Sequence, residues 1–504
     1  MTWRVRLWRG LVAGLAGLAL AQAYPPLGWS LLAWISLVPL VVITLGREPG
    51  AAFGCGWLGG FVFFLVLLRW LNFTFQTFSA IPWPLTLGPT ALLAGYCALW
   101  IGAVTALAAW IARRRGAAWA LTSVPFLWVA AEWGRGHLMG GFPWGLLGYS
   151  QWQDLGVIQV AELGGVYAVS FVLAAVNAAL AACAVLPVRR ALIALGLAAM
   201  LLGGTLGFGA WRLGAPRPPD GARIAIMQPA IEQPLKWDER FTAMLLSVYF
   251  GLTRSVGAGG ADLIVWPETS SPTVLRRDPG LVEALRAVAR DLDTTLLVGS
   301  VDVDDARRLR NTAFVVGRKG IQSRYDKIHL VPFGEYVPLP QLIGFVRGWA
   351  EFISEMEPGI DPVVFPGPPA PFGVVICYEG IFPELVREFV RRGARVMINM
   401  TNDAWFASRE HRTAGPEQHL SMYPFRAVEH RIAVVRAANT GVSAFIAPTG
   451  RVVRRLELYE RGVMTESVPL RGVTTLYTRL GDWLAYLSLV VSATVLGAAA
   501  WRRA

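Results

Sequence analysis

The chain has 504 residues, of which 54% are hydrophobic and only 16% charged, and its formal net charge is +12. Soluble proteins of this length normally carry about a quarter charged residues, so the composition excludes an ordinary cytosolic enzyme. Most of the basic excess lies in residues 1–213, which contain 12 Arg and 4 acidic residues. Residues 214–477 are nearly neutral, with 31 basic and 29 acidic residues, and this distribution excludes a nucleic-acid-binding domain.

Eight apolar segments approach or reach the roughly 20 residues that a helix needs to cross a membrane. In chain order they are 10–23, 28–45, 51–70, 88–112, 117–134, 166–186, 191–211 and 481–501. Cytoplasmic loops are enriched in arginine and lysine. If the N-terminus lies in the cytoplasm, the short loops on the other side of the membrane contain only Arg69 and Arg135. The arginines on the cytoplasmic side are then Arg4, Arg6, Arg9, Arg47, Arg113, Arg114, Arg115, Arg189, Arg190, Arg502 and Arg503. We therefore expect 214–477 to lie outside the cytoplasm.

The N-terminus has a second interpretation, and so do the outer loops. The first apolar stretch ends at Ala21-Gln22-Ala23, as a cleavable signal peptide would, but further spans follow at once and favour a retained helix. The outer loops 71–87 and 140–153 are rich in aromatic residues. Such residues are typical of the membrane interface, although a surface that admits lipid chains is an alternative.

From residue 214 the composition changes, and a linker over 216–221 precedes alternating strand and helix patterns. The predicted strands are 223–228, 262–266, 294–301, 311–316, 372–376, 395–400, 433–436 and 442–447, and the predicted helices are 238–256, 279–292, 381–392 and 416–430. This pattern predicts one α/β or α+β domain. The expected organisation is a membrane domain at 1–213, an outer domain at 214–477 and a last membrane helix at 478–504.

Cys377 is the only cysteine of the outer domain, so a disulfide scaffold is excluded there. A free cysteine is most often a small buried apolar residue. Cys377, however, ends the apolar run 372–376 immediately before a predicted helix, which is where nucleophiles are commonly placed.

Two further strand ends carry ionisable groups, Glu268 after 262–266 and Lys327 after Tyr325-Asp326. Lysine is rare here, with three among the 46 basic residues, which suggests that Lys327 is needed as an ammonium. Together the three residues fit acyl chemistry: a thiolate attacks a carbonyl, a carboxylate transfers the proton, and an ammonium stabilises the oxyanion. No zinc-type spacing or phosphate loop is present, so we expect no metal or cofactor. A Cys377–His329 dyad is conceivable but has no orienting partner in the sequence.

The motifs then permit a family assignment. The order Trp266-Pro267-Glu268, 327–335 (KIHLVPFGE), Cys377-Tyr378-Glu379 and 401–406 (TNDAWF) resembles the carbon–nitrogen hydrolase (nitrilase) superfamily and its Glu-Lys-Cys triad. With eight spans, and with 141–144 (GFPW) and 148–151 (GYSQ), the whole chain resembles the apolipoprotein N-acyltransferase family. The segment 407–415 departs from the family pattern, which leaves the shape of this loop undefined.

The resemblance implies a nitrilase-like αββα sandwich attached to a membrane helical bundle, and a two-step reaction. Cys377 takes the sn-1 acyl chain of a phospholipid as a thioester, with Glu268 as proton acceptor and Lys327 facing the oxyanion. The amino group of an S-diacylglyceryl-cysteine at the N-terminus of an apolipoprotein then receives the chain. The resemblance also places the protein in a bacterial inner membrane, with its catalytic domain in the periplasm.

Supporting roles follow from the same resemblance. Glu335 is expected to position Lys327 or assist proton transfer, whereas Tyr378 and Glu379 flank the nucleophile, and Glu379 could instead cap a helix. The residues expected to contact substrate are Trp144, Trp237, Asn311 and Trp405, although packing roles remain open for Trp237 and Asn311. The apolar segment 339–353 is either an arm that dips into the membrane or a core helix.

Two other functions remain open at this point. A membrane-bound amidase or nitrilase-like hydrolase would use the same triad with water as acceptor. A transporter with an outer receptor domain is a third possibility, but transport sites usually contain ionisable residues within the spans, and these spans have almost none.

Overall fold

A computed structural model describes residues 3–79, 81–216, 219–236, 238–304, 306–337, 355–367 and 370–501. The chain divides into two compact units. The first comprises Met1–Asn72, Pro84–Ala215 and Thr475–Ala504, and the second comprises Phe73–Trp83 and Pro216–Thr474. The segment Phe73–Trp83 comes from a predicted outer loop of the membrane part, yet it packs with the second unit. The predicted arm 339–353 and Trp237 lie outside the described residues.

The described residues of the first unit form helices and the segments that connect them. Its α-helices are Trp3–Ala21, Leu37–Thr44, Pro49–Leu67, Leu87–Arg115, Ala117–His137, Leu155–Ile158, Ala161–Gly164, Val166–Val185, Val188–Leu213, Leu476–Leu480 and Trp483–Trp501, with short 3₁₀ helices at Ser30–Trp34, Leu138–Gly140 and Leu147–Gln151. A further helix, Trp70–Phe78, contains residues that belong to each of the two units.

Five helices among the described residues are long and apolar enough to cross a membrane. They are Pro49–Leu67, Leu87–Arg115, Val166–Val185, Val188–Leu213 and Trp483–Trp501, which overlap five of the eight predicted spans. Predicted spans 10–23 and 117–134 fall on the continuous helices Trp3–Ala21 and Ala117–His137. The protein is thus a helical membrane protein, while eight crossings remain a prediction.

The predicted span 28–45 is not one helix. It is divided into Ser30–Trp34 and Leu37–Thr44, and the cause is local. Pro39 has no N–H to donate to the Ile35 carbonyl and its ring crowds that carbonyl, which favours a break at this point. Asn177 satisfies backbone groups at the break: its side chain accepts from the Leu37 amide at 3.0 Å and donates to the Ala33 carbonyl at 2.9 Å.

The part of the second unit that the structure describes forms two six-stranded sheets. The strands are β1 Asp220–Gln228, β2 Leu263–Val265, β3 Thr295–Val303, β4 Leu309–Gly317, β5 Gly320–Asp326, β6 Val364–Phe365, β7 Phe372–Ile376, β8 Val396–Thr401, β9 Ala433–Ala438, β10 Ser443–Ile446, β11 Val452–Leu456 and β12 Gly462–Pro469. The first sheet has the order β12-β1-β2-β3-β4-β5 and the second has the order β11-β10-β9-β8-β7-β6. In each sheet three neighbouring strands are parallel, β1 to β3 and β7 to β9.

Helices cover the sheets. Among the described residues of this unit, the helices are Gln233–Lys236, Thr242–Ser255, Pro279–Asp291, Pro383–Arg391, Gly415–Leu420 and Tyr423–His430, with 3₁₀ turns at Glu239–Phe241, Leu275–Arg277, Cys377–Ile381 and Asp403–Trp405. A buried core around Trp266 and Leu285 joins the first sheet to Thr242–Ser255 and Pro279–Asp291. Because β1 lies against β9 and β4 against β7, the two sheets face each other, which gives the predicted αββα sandwich.

Candidate active site

Glu268 lies just beyond the end of the apolar strand β2, in the interior of the second unit. Its side chain is buried. Its Oε1 atom accepts a hydrogen bond from Asn311 Nδ2 at 2.8 Å and lies 3.5 Å from Lys327 Nζ. Burial raises the pKa of Glu268, with Glu335 acting in the same direction and Lys327 opposing. A base whose pKa is raised toward neutrality is suited to proton transfer.

Lys327 follows β5 and is only 1% exposed. Its Nζ atom donates to Glu335 Oε1 at 2.9 Å, and Asn311 Nδ2 donates to the same oxygen at 3.0 Å. The other Glu335 oxygen accepts from the Val331 amide at 2.8 Å. Burial alone would lower the pKa of Lys327, but Glu335 and Glu268 outweigh it and raise the pKa above its usual value. The Lys327 ammonium therefore stays charged, as an oxyanion-stabilising group must.

Cys377 stands where β7 turns into the 3₁₀ helix Cys377–Ile381. Its φ angle is +52°, a left-handed conformation that non-glycine residues rarely adopt and that is often found at functional sites. The thiol is buried, and burial together with the charge on Glu268 raises its pKa to about 12, against the opposing effect of Lys327. The resting group is therefore a thiol, which needs a nearby base before it can attack a carbonyl.

Glu379 connects the nucleophile to the lysine loop. One carboxylate oxygen accepts from the Ile376 amide at 2.7 Å, and the other accepts from Tyr325 OH at 2.7 Å and from the amides of Ile328 and His329 at 2.6 and 3.1 Å. Burial raises the pKa of Glu379 to about 7, although these hydrogen bonds oppose the shift. Glu379 caps the turn that begins at Cys377, because it accepts from the amide of the preceding Ile376, and the same carboxylate also fixes the loop after Lys327.

The remaining predicted residues lie in different surroundings. Tyr378 packs edge-on against Phe382, with ring centroids 5.1 Å apart, and His329 stacks on the same Phe382 ring at 4.4 Å. Asn311 bridges Glu268 and Glu335, so it belongs to the buried polar centre. Trp144 belongs to the first unit, where it is buried against Trp70 at a centroid distance of 5.0 Å.

Trp405 is held by the segment Phe73–Trp83. Its carbonyl accepts from Thr74 Oγ1 at 2.7 Å, and its ring meets Phe78 edge-on at 4.7 Å. The loop 407–415 is also fastened, because Tyr459 OH donates to the Ala407 carbonyl at 2.8 Å and Thr413 Oγ1 donates to the Phe406 carbonyl at 2.6 Å. The loop whose shape the sequence left undefined is thus tied at both ends.

Lys236 is a residue that the sequence analysis did not select. It is 4% exposed, and its Nζ atom donates to the Glu268 carbonyl at 2.9 Å and to Thr269 Oγ1 at 2.6 Å. Burial lowers its pKa to about 8, although Glu268 and Cys377 act in the opposite direction. The rarity of lysine, which drew attention to Lys327, applies equally to Lys236 and could have identified it.

The αββα sandwich belongs to a carbon–nitrogen hydrolase (nitrilase) domain. The family model for carbon–nitrogen hydrolases matches residues 223–477, which confirms the predicted fold class. The model for the apolipoprotein N-acyltransferase N-terminal domain matches residues 16–179. Among the described residues, no group of three or more His, Cys, Asp or Glu side chains could hold a metal ion.

Full-length relatives extend this assignment. The chain is 37% identical to the apolipoprotein N-acyltransferase of Geobacter metallireducens over 98% of this chain and 95% of that protein. It is 31% identical to the enzyme of the same name from Vibrio cholerae, over 99% and 98%. An amidase of known structure from Nesterenkonia sp. is 22% identical, with a TM-score of 0.37 over 50% of this chain and 91% of that chain. The chain belongs to the apolipoprotein N-acyltransferase family.

Proposed function

We propose that the protein transfers the sn-1 acyl chain of a phospholipid to the N-terminal amino group of S-diacylglyceryl-cysteine in apolipoproteins. The relatives named above are apolipoprotein N-acyltransferases, and this supports acyl transfer rather than hydrolysis or transport. The observation that carries the mechanism is the position of Cys377, a buried thiol in a left-handed turn, on which the charges of Glu268 and Lys327 both act.

In the first step, Glu268 removes the Cys377 proton and the thiolate forms a bond to the ester carbonyl carbon. The Lys327 ammonium stabilises the oxyanion, held in place by Glu335 at 2.9 Å. When the tetrahedral intermediate collapses, the carbon–oxygen bond breaks, and Glu268 returns the proton to the departing lysophospholipid. A thioester remains on Cys377.

In the second step, the free amino group of the diacylated apolipoprotein attacks the thioester. Glu268 takes a proton from the amine, the carbon–sulfur bond breaks, and the Cys377 thiol is restored. The product is an amide, which is more stable than the thioester, so the reaction proceeds toward transfer. The lysophospholipid leaves before the apolipoprotein enters, which makes this a ping-pong mechanism.

The protein is proposed to act in a bacterial inner membrane with its catalytic unit in the periplasm. The asymmetry of the arginines supports this orientation. A lipid ester and a lipid-modified cysteine both lie near the membrane surface, so a membrane-bound enzyme meets both substrates there. Trp405 and Asn311 are proposed substrate contacts, as are Trp144 and Trp237, and Tyr378 is proposed to support the nucleophile.

Intact mass spectrometry of the purified protein after incubation with phospholipid tests this mechanism. We expect an added acyl mass that hydroxylamine removes and that Cys377→Ser does not acquire. Glu268→Gln should form the adduct at least about 100-fold more slowly, because general base assistance contributes at least this factor. A diacylated peptide with a free amino terminus should then discharge the wild-type adduct.

Two results would contradict the proposal. A wild-type protein that acquires no adduct from phospholipid would exclude the thioester. Discharge that is equally fast with and without the peptide would identify a hydrolase that uses water. An N-acetylated form of the same peptide is the matched control, because it has no amine with which to attack.

A further inference from the structure

Behind Cys377 lies a group of buried polar side chains that the mechanism above does not use. They are Asp403, His419, Tyr423 and Arg436, and each is no more than 1% exposed. They come from four elements: the turn Asp403–Trp405, the helices Gly415–Leu420 and Tyr423–His430, and β9. Burying polar and charged groups is costly unless they are paired, so their arrangement is informative.

The four side chains form a continuous path that ends at the nucleophile. Arg436 Nη2 donates to Asp403 Oδ2 at 2.6 Å, and Asp403 Oδ1 lies 3.0 Å from His419 Nδ1. His419 Nε2 lies 3.2 Å from the hydroxyl of Tyr423. That hydroxyl donates to the backbone carbonyl of Cys377 at 3.1 Å. The path therefore reaches the peptide group of Cys377 and not its thiol.

The charge states support this order of contacts. Burial would raise the pKa of Asp403, but Arg436 and His419 outweigh it and lower the pKa, so the carboxylate is ionised. Burial and Arg436 together lower the pKa of His419, which is therefore neutral. Asp403 Oδ1 and Arg436 Nη2 both contact His419 Nδ1, at 3.0 and 3.2 Å, and together they fix the orientation of the ring.

Two glycines leave room for this path. A Cβ atom on Gly380 would overlap the ring and hydroxyl of Tyr423, and one on Gly441 would overlap the carboxylate of Asp403. Neither glycine has a positive φ angle, so close approach explains them better than backbone conformation does. Asn399 adds a second, longer bond to the Cys377 carbonyl at 3.4 Å and is itself held by Arg436 Nη1 at 2.6 Å.

We propose that Tyr423, braced by His419, Asp403 and Arg436, is a positioning residue that holds the Cys377 peptide in its left-handed conformation during acyl transfer. A peptide group is planar, so fixing its carbonyl also fixes the amide of Tyr378 on the opposite side. The hydrogen bond from Tyr423 to the Cys377 carbonyl thus orients the Cys377 thiol toward the acyl carbon and the Tyr378 amide toward the oxyanion. Hydrogen bonding to the carbonyl also polarises the amide of the same peptide group. This inference rests on the proposed thioester mechanism.

The test compares Tyr423→Phe with Tyr249→Phe. Both remove one buried hydroxyl, but the Tyr249 hydroxyl has no hydrogen-bond partner within the described part of the chain and lies in the core against Trp266. The rate of acyl adduct formation from phospholipid is measured by mass spectrometry over a range of phospholipid concentrations. We expect Tyr423→Phe to lower the maximal rate about 10- to 100-fold, as small misplacements of reacting groups do, with little change in the half-saturating phospholipid concentration. Tyr249→Phe should match the wild type.

A spectroscopic signal separates positioning from general loss of stability. With a ¹³C-labelled acyl carbonyl, the thioester band in the infrared spectrum should move to higher wavenumber in Tyr423→Phe, because its oxyanion contacts are weaker. His419→Gln, which keeps a polar side chain, should retain more activity than His419→Ala. If the wild type forms the adduct but Tyr423→Phe matches Tyr249→Phe in rate and band position, the positioning role is wrong. If the wild type forms no adduct, the proposed function itself fails.

Discussion

Lys236 places a second ammonium next to the base, in contact with the Glu268 carbonyl at 2.9 Å. Its charge lowers the pKa of Glu268, which burial has raised. Replacing it with an uncharged side chain therefore raises the pKa of Glu268 further, and the carboxylate stays protonated up to a higher pH. Lys236→Met should move the acidic limb of the pH–rate profile for acyl adduct formation to higher pH.

Lys319→Met is the matched control for this prediction. Lys319 is exposed in the turn between β4 and β5, so its removal should leave the acidic limb where it is. An acidic limb that is identical in Lys236→Met and in the wild type would mean that the Lys236 charge does not act on Glu268.

At the residue scale, the sequence was informative wherever a chemically distinctive side chain followed an apolar strand. Glu268, Lys327 and Cys377 were selected on this basis, and the structure gathers them in one unit. The path from Arg436 to Tyr423 could not be predicted in this way. Arg436 lies within an apolar strand, and Asp403 and His419 are 16 positions apart, so only the fold brings them together.

At the scale of elements, Glu379 joins β7 to the loop that follows β5, since it accepts hydrogen bonds from both. Glu379→Gln puts an NH₂ group where buried N–H or O–H donors point. We expect the free energy of unfolding to fall by about 1–3 kcal/mol for each donor left unsatisfied. Thermal unfolding of the detergent-solubilised protein measures this, and adduct formation should fall with it because the Lys327 loop loses its attachment.

Glu388→Gln serves as the comparison. Glu388 is partly exposed and pairs with Arg392 at 2.9 Å one turn along the same helix. Exposed pairs of this kind contribute about 0.3–0.5 kcal/mol, so its unfolding should be almost unchanged. Equal losses of stability in the two variants would show that the bridging role of Glu379 is wrong.

The strands that the sequence did not predict all lie at the edges of the sheets. All eight predicted strands have counterparts, and the four missed strands, β5, β6, β11 and β12, are the four edges of the two sheets. An edge strand is buried less completely and needs fewer apolar residues, as β11 illustrates, in which one of five residues is buried. The predicted helix 416–430 is divided before Tyr423 because Pro424 cannot continue the preceding turn.

At the scale of the whole molecule, the arginines predict which side of the membrane each part faces. In a chain whose own four cysteines are replaced, Ala258→Cys and Gly50→Cys provide exposed single thiols in the catalytic unit and beside Arg47. A maleimide that cannot cross membranes should label Ala258→Cys in spheroplasts directly. It should label Gly50→Cys only after the membrane is permeabilised, and the reverse pattern would invert the proposed orientation.

The predicted division of the molecule rests on composition. Composition separated an apolar half from a nearly neutral half, because the lipid-facing and aqueous surfaces require different residues. The sequence did not reveal that Phe73–Trp83 packs with the catalytic unit, since its aromatic residues are equally typical of the membrane interface. Contacts such as that between Thr74 and Trp405 depend on residues more than 300 positions apart.

The pairing of β1 with β12 has a consequence for how such a molecule could have arisen. Because the first and last strands are neighbours, the catalytic unit begins and ends at the same edge of a sheet. Domains with adjacent ends can be inserted into a loop of another protein without rethreading either one. A single insertion therefore suffices to place such a unit between two membrane helices of one chain.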